Sequence, residues 1–277
     1  MKFLQIAGIL LLICNSNYAE EPMIVAHRGA SRDAPENTIP AFKLAWEQGS
    51  DAIEGDFHLT EDGHIVCIHD HNTKRVSDRN LVISKSTLTE LRKLDVGAYR
   101  GKDFKGSVIP TIAEVFSTIP KQKKIYIEIK CGIEIIPVLL EEIEKSGLKQ
   151  EQIVVICFNK EVIRELKTRT PPYKAFWLSG FKEDKSGKII PSLETVLQTL
   201  KQIKADGFSS NESITEAFIK GITEHGYEWH VWTVDDLEIA KRFKKWGAKS
   251  ITTNVPDYIK KNLVEQDAAA DADKPCR

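Results

Sequence analysis

Long apolar runs are missing from this 277-residue chain beyond its first few residues, so nothing in it supplies the ~20 apolar residues of a transmembrane helix. A dominant charge sign is missing too. Lys plus Arg number 39 against 40 Asp plus Glu, a net charge of −1, which leaves no field to recruit nucleic acid or an anionic membrane surface. Cysteine is sparse, with 5 in all and no CxxC pair, which argues against a cysteine-based metal site and predicts no disulfide framework. Cys67, Cys131 and Cys157 lie in or beside apolar runs and read as small core residues. Cys276 lies in a polar tail. No strand-like run is followed by GxGxxG, and no linker or composition shift divides the chain in two.

The composition is that of a soluble globular chain, 42% hydrophobic and 29% charged. Lys2, the apolar run Phe3 to Cys14 and the short polar stretch before Ala19 have the order of a secretory signal peptide over residues 1–19. Cys14 as a lipidation site is the competing reading, disfavoured by the bulk of Leu12 and Ile13 before it. The expected product is an exported, periplasmic or secreted protein. Its domain spans 20–264, and the aspartate- and alanine-rich tail 265–277 is expected to be disordered.

Short β-rich runs alternate with amphipathic stretches through the mature chain. The expected strands are Ile24 to His27, Ala52 to His58, Ile65 to His69, Ile125 to Lys130, Ile153 to Phe158, Lys174 to Leu178, Gly207 to Ser209, Glu228 to Val234 and Ser250 to Thr253. Between them lie helical patterns, among them Ile39 to Gln48, Ile135 to Lys145 and Asp236 to Trp246, with glycines at Gly49, Gly147 and Gly247 to end them. Taking the pair around Glu61 to Gly63 as one unit gives about eight strand-helix steps, the pattern of an α/β (β/α)8 TIM barrel. One polar stretch, about 71–110, breaks the rhythm after the second strand unit and reads as a small insertion over one end of the barrel.

His27 with Arg28, Glu54 with Asp56, His69, and Glu128 with Lys130 fall at or just beyond the carboxyl ends of expected strands, where barrel enzymes place their chemistry. Residues two apart on a strand share a face, so Glu54 and Asp56 point the same way, as do Glu128 and Lys130, and the two pairs can converge. Glu54, Asp56 and Glu128 form an oxygen-rich set suited to one hard divalent cation, Mg2+ or Ca2+. The alternative is an inert buried ion-pair network with Arg28 and Lys130. His27 and His69 can take and give protons near neutral pH, while Arg28 and Lys130 can hold a phosphate. Trp232 reads equally as core or as substrate wall. His58, His64 and His71 flank turns and are expected to face solvent; Asp70 is expected to orient His69, His225 to end a helix, and His230 to face the barrel interior.

His27-Arg28-Gly29-Ala30, Pro35-Glu36-Asn37-Thr38, Glu54-Gly55-Asp56 and His69-Asp70, in this order and spacing, resemble the glycerophosphodiester phosphodiesterase family. The resemblance continues through Thr60-Glu61-Asp62-Gly63, Ile109-Pro110-Thr111, Ile127-Glu128-Ile129-Lys130, Val231-Trp232-Thr233-Val234 and Thr253 to Pro256. It implies a barrel with an inserted subdomain, a divalent cation on Glu54, Asp56 and Glu128, and His27 and His69 as general acid and base. The implied products are glycerol 3-phosphate and an alcohol, with water or the substrate's own glycerol hydroxyl as nucleophile. Asn254 departs from the pattern, since many relatives carry aspartate there, and it is expected to touch none of the core groups. Two other readings compete. A lysophospholipase D or phospholipase C-like lipid diesterase is disfavoured by the polar insertion, and a non-catalytic exported phosphate-ester binding protein by the intact His and carboxylate set.

Overall fold

The computed structural model describes residues 21–169 and 173–263, so the expected signal peptide 1–19, the tail 265–277 and Cys276 lie outside the described residues. Eight parallel strands close into a barrel: β1 (Met23–Ala26), β2 (Ala52–Leu59), β4 (Lys124–Ile129), β5 (Ile153–Cys157), β6 (Lys174–Ser179), β9 (Gly207–Ser210), β10 (Glu228–Val231) and β11 (Ser250–Thr253). Closure comes from β1, which pairs with β2 on one side and with β11 on the other, Val25 opposite both Ala52 and Thr252. The strand β3 (Ile65–Cys67) returns antiparallel along β2, and β7 (Lys182–Glu183) with β8 (Ile189–Ile190) forms a hairpin after β6.

Helices alternate with the strands: α1 (Ile39–Glu47), α3 (Ile112–Phe116), α4 (Ile136–Ser146), α5 (Lys160–Arg169), α6 (Leu193–Ile203), α7 (Glu216–Glu224) and α8 (Leu237–Lys245). Their starts follow capping chemistry. Thr38, Ser192, Thr215 and Asp236 each accept a backbone N–H of the first turn with a side-chain oxygen. Their buried faces, such as Phe42 and Ala45 of α1 and Ala240 and Phe243 of α8, pack on the outside of the strands in one continuous apolar layer. A second cluster, including Tyr126, Ile156, Phe176 and Leu178, fills the barrel interior.

Residues 71–110 carry the short helix α2 (Leu88–Leu91) and several single 3-10 turns around a small core of their own, with Val76, Ile83, Leu91, Leu94 and Val96 packed on Val66 and Ile68. The short helix α3 was not among the expected elements, and β10 stops at Val231 rather than Val234. The three described cysteines are free thiols, Cys67 and Cys157 buried and Cys131 half-buried.

Phe42 is fully buried between α1 and the barrel. Phe42→Ala is expected to lower unfolding free energy by about 3–5 kcal/mol through lost burial and a residual cavity. Urea titration checks this; a change below about 1 kcal/mol would mean that this face of α1 carries little of the stability.

Candidate active site

The loop after β1 is shaped by backbone that few residues accept. Arg28 and Asn37 both adopt left-handed conformations (φ 58° each), uncommon for residues other than glycine and a frequent mark of functional loops. Gly29 follows at φ 81°, and a Cβ there would meet the Ala41 backbone carbon at 2.6 Å, so only glycine fits. The turn aims the Arg28 backbone N–H at Glu54 Oε2 (2.9 Å) and its guanidinium at Glu36 (3.0 Å) and Asp56 (3.2 Å). Asn37 binds Asp56 twice: Nδ2 donates to Asp56 Oδ2 at 2.8 Å, and Oδ1 accepts the Asp56 backbone N–H at 3.1 Å.

Glu54, Asp56 and Glu128 are all buried, and each brings a carboxylate oxygen within 4.8 Å of the others, the one such group among the described residues. The β2–β4 register sets Asp56 beside Glu128. Burial, followed by repulsion from Asp56 and Glu128, pushes the Glu54 carboxyl well above its usual range. Burial and Asp56 likewise push Glu128 up to about 7. Burial acts on Asp56 in the same direction, but Arg28, Lys130, His69 and the Asn37 amide outweigh it and hold Asp56 below the usual carboxylate range. Lys130 Nζ reaches Glu128 at 2.7 Å and Asp56 at 3.4 Å. Glu54 Oε1 is buried and accepts no hydrogen bond, and Asp56 Oδ1, also buried, has only the Lys130 ammonium at 3.4 Å. Buried carboxylate oxygens converging at this spacing suit a hard divalent cation.

His69 reaches the same rim by a different route, because β3 runs back along β2 and Ile68 donates its N–H to the Asp56 carbonyl at 2.8 Å. Its Nδ1 lies 2.7 Å from Asp70 Oδ1. Asp70 Oδ2 and both oxygens of Glu36 accept from Arg75 of the inserted segment, at 2.7–2.8 Å. Arg100 of the same segment donates to the Ser31 and Arg32 carbonyls, fastening the insertion to the loop after β1. A cavity opens between these groups, lined by His27, Arg28, Glu54, His69, Glu128 and Lys130. Ile156, Phe158, Leu178 and Trp232 supply its apolar wall, with Ile156 beside Glu128 in the β4–β5 register. The Trp232 and Phe158 rings meet edge to face at 5.4 Å, and Trp232 Nε1 is buried without a hydrogen-bond partner.

A profile of the Glycerophosphoryl diester phosphodiesterase family matches residues 27–258. The chain belongs to this family. Among similar proteins, a glycerophosphodiester phosphodiesterase of Caldanaerobacter subterraneus subsp. tengcongensis is 34% identical over 241 residues, covering 86% of this chain and 96% of that one. A human lysophospholipase D is 31% identical over 265 residues, covering 85% and 84%. Among solved structures, a phosphodiesterase of Oleispira antarctica in complex with the product sn-glycerol-3-phosphate superposes with a TM-score of 0.80 at 26% identity, covering 88% of this chain and 97% of that one.

In this phosphodiesterase, every residue singled out from the sequence as catalytic, cation-binding or substrate-binding, apart from the buried Asp56, lines the one cavity, and Asp56 sits directly behind it among the same carboxylates. Asp70 meets His69 as expected, His225 ends α7, and His230 lies inside the barrel, stacked on Phe176 at 3.9 Å. Two expectations fail. His58 does not face solvent: it is buried on β2 with Nε2 3.2 Å from the His69 carbonyl, and burial lowers its pKa. Asn254 does touch a core group, since its Oδ1 lies 2.8 Å from His27 Nδ1. Sequence reasoning gave no role to Glu36, Asn37 or Phe158. Glu36 and Asn37 stood inside a quoted motif, which was the available signal; Phe158 carried none.

The displaced Glu128 carboxyl has a stability consequence. A carboxyl whose folded pKa lies above its unfolded value favours the fold at low pH, and this is lost as pH rises from about 4.5 through 7. In chelator, the parent protein is therefore expected to lose up to about 3 kcal/mol relative to Glu128→Gln between pH 4.5 and pH 7.5. Paired urea titrations at the two pH values check this. A difference that stays constant would show that Glu128 ionises normally.

Proposed function

We propose that this chain is an exported, divalent-cation-dependent hydrolase that cleaves glycerophosphodiesters to glycerol 3-phosphate and an alcohol, with His27 and His69 exchanging the protons. The observation that carries the reading is that two histidines, Glu54, Glu128, Arg28 and Lys130 line one cavity with Asp56 clustered among the same carboxylates, and that Glu54 keeps a buried oxygen without a hydrogen bond. Support comes from the Oleispira antarctica phosphodiesterase, whose bound product is sn-glycerol-3-phosphate. Export rests on the sequence of residues 1–19.

Glu54, Asp56 and Glu128 would hold the cation, Mg2+ or Ca2+, which when bound supplies Lewis-acid polarisation of a phosphate oxygen. Arg28 and Lys130, anchored by Glu36, Asp56 and Glu128, place two fixed positive charges at the cavity wall, where the diester's charge and its increase in the transition state are offset. One histidine takes the proton of the attacking hydroxyl, and the other gives one to the departing alkoxide as the phosphorus–oxygen bond breaks. The apolar wall of Ile156, Phe158, Leu178 and Trp232 keeps bulk water from the reacting side and receives the carbon skeleton of the substrate.

The test is release of glycerol 3-phosphate from glycerophosphocholine with Mg2+, with Ca2+ and in EDTA. Activity with a cation and its loss in EDTA are expected, and His27→Ala or His69→Ala should lower kcat by about 10²–10⁴-fold while the circular dichroism spectrum is kept. If the unaltered protein hydrolyses no diester with either cation, a non-catalytic binding role takes the place of this reading. The apolar wall and the human lysophospholipase D relative favour a second substrate class, the lysophospholipids. Glycerophosphocholine is expected to be turned over faster than lysophosphatidylcholine, because the inserted segment offers little apolar surface beyond Val82 and Tyr99. A preference for the lysolipid reverses the assignment.

A further inference from the structure

We infer that Asn254 and Asp235 are positioning residues that fix which ring nitrogen of His27 carries its proton, holding it on Nδ1 and leaving Nε2 to exchange protons with the substrate. The inference rests on the reading of His27 as a proton-transfer group. Strand order brings the three residues together: His27 follows β1, Asn254 follows β11 and Asp235 follows β10, and these strands are neighbours in the barrel. The His27 backbone N–H donates to the Thr253 carbonyl at 2.8 Å, which sets its ring against the next residue, Asn254.

The direction of each hydrogen bond follows from donor inventory alone. An ionised carboxylate only accepts. Asp235 Oδ2 lies 2.7 Å from the Asn254 side-chain nitrogen, so that nitrogen must face the carboxylate and donate to it. The amide cannot be turned over without setting its oxygen against Asp235. Its Oδ1 therefore faces His27 Nδ1 at 2.8 Å and accepts there, and Ser31 Oγ donates to the same oxygen at 2.9 Å. A neutral His27 can satisfy this contact only as the Nδ1–H tautomer.

Asp235 is itself held fast. Its Oδ1 accepts the Thr253 hydroxyl at 3.0 Å and the Asn254 backbone N–H at 2.8 Å, and Arg32 stands 3.7 Å from Oδ2. The Arg32 backbone N–H also donates to the Asn254 carbonyl, at 3.2 Å. The two histidines of the cavity are thus held by different chemistry: His69 meets a carboxylate directly, and His27 meets one through an intervening amide.

The effect of substitutions follows from the same inventory. In Asp235→Asn, one of the two oxygens becomes an NH2, which must face either the Asn254 backbone N–H or the Asn254 amide nitrogen. The second clash is relieved when the Asn254 amide turns over and offers NH2 to His27 Nδ1, which then must accept, and the ring proton moves to Nε2. Asn254→Ala removes the acceptor and frees the ring to take its intrinsic preference for Nε2–H. The exchanged pair Asp235→Asn with Asn254→Asp restores an acceptor opposite Nδ1, now a carboxylate that accepts from the new amide, and with it the original tautomer.

The test is long-range 1H–15N correlation of the ring nitrogens in the metal-free full chain above about pH 8, where imidazole is neutral, with His27 assigned by comparison with His27→Gln. The unaltered protein should show His27 as Nδ1–H, and Asp235→Asn and Asn254→Ala as Nε2–H. Each single variant should lower kcat by about 10–100-fold with KM little changed, and the exchanged pair should recover the tautomer and most of kcat. An Nε2–H signal in the unaltered protein, or single variants that keep Nδ1–H, overturns the inference. Because the spectra need no turnover, a protein inactive on every diester refutes the proposed function while leaving the tautomer result to stand or fall by itself.

Discussion

Three carboxylates within 4.8 Å of one another, all buried, are the constraint around which the rest of the site is arranged. Like charges this close in a poorly solvated setting suppress one another's ionisation, and the fold answers with unequal treatment rather than with simple pairing. Asp56 receives the Asn37 amide, the Arg28 guanidinium and the Lys130 ammonium, and it stays ionised. Glu54 receives one backbone N–H and keeps a bare oxygen, while Glu128 shares only the ammonium. The site is therefore charge-unbalanced in a way that additional positive charge relieves, because Arg28 is shared between Glu36 and Asp56 and Lys130 between Glu128 and Asp56.

The inserted segment takes part in this balance. Arg75 joins Glu36, which supports Arg28, to Asp70, which supports His69, so one side chain from outside the barrel ties the two flanks of the cavity together. The segment reads in the sequence as a break in the strand-helix rhythm. In the structure it is a strut with its own small core, tied through Arg100 to the loop after β1.

How much of this was legible depended on the range of the contact. The alternation of strands and helices is local, and it gave the barrel and every strand that closes it. The two-residue period on β2 gave the shared face of Glu54 and Asp56, and the same period places His58 on that face too, against the expectation that it faces solvent beside the turn. Strand-end position found the histidines, although His69 arrives by an antiparallel return that a list of apolar runs does not distinguish from a parallel strand. The Asn254 contact with His27 joins residues 227 positions apart, and nothing in the pattern around Asn254 announces it. A departure from a family motif marked the right position but not its meaning, because the compensating carboxylate, Asp235, stands on another loop.

Closure of the barrel has a consequence for when the site comes into being. Val25 pairs with Thr252 and the His27 amide rests on Thr253, so the first strand of the fold is completed only by its last. The carboxylates of β2 and β4 can meet as soon as the first half of the chain is formed, since Asp56 and Glu128 are neighbours in register. The His27 ring has no partner until nearly the whole chain has been made. Pairing at such sequence separation is entropically late in folding. Convergence of the carboxylates and docking of the His27 ring are thus separable in the order of assembly, the first needing the chain only as far as Glu128 and the second needing it as far as Asn254.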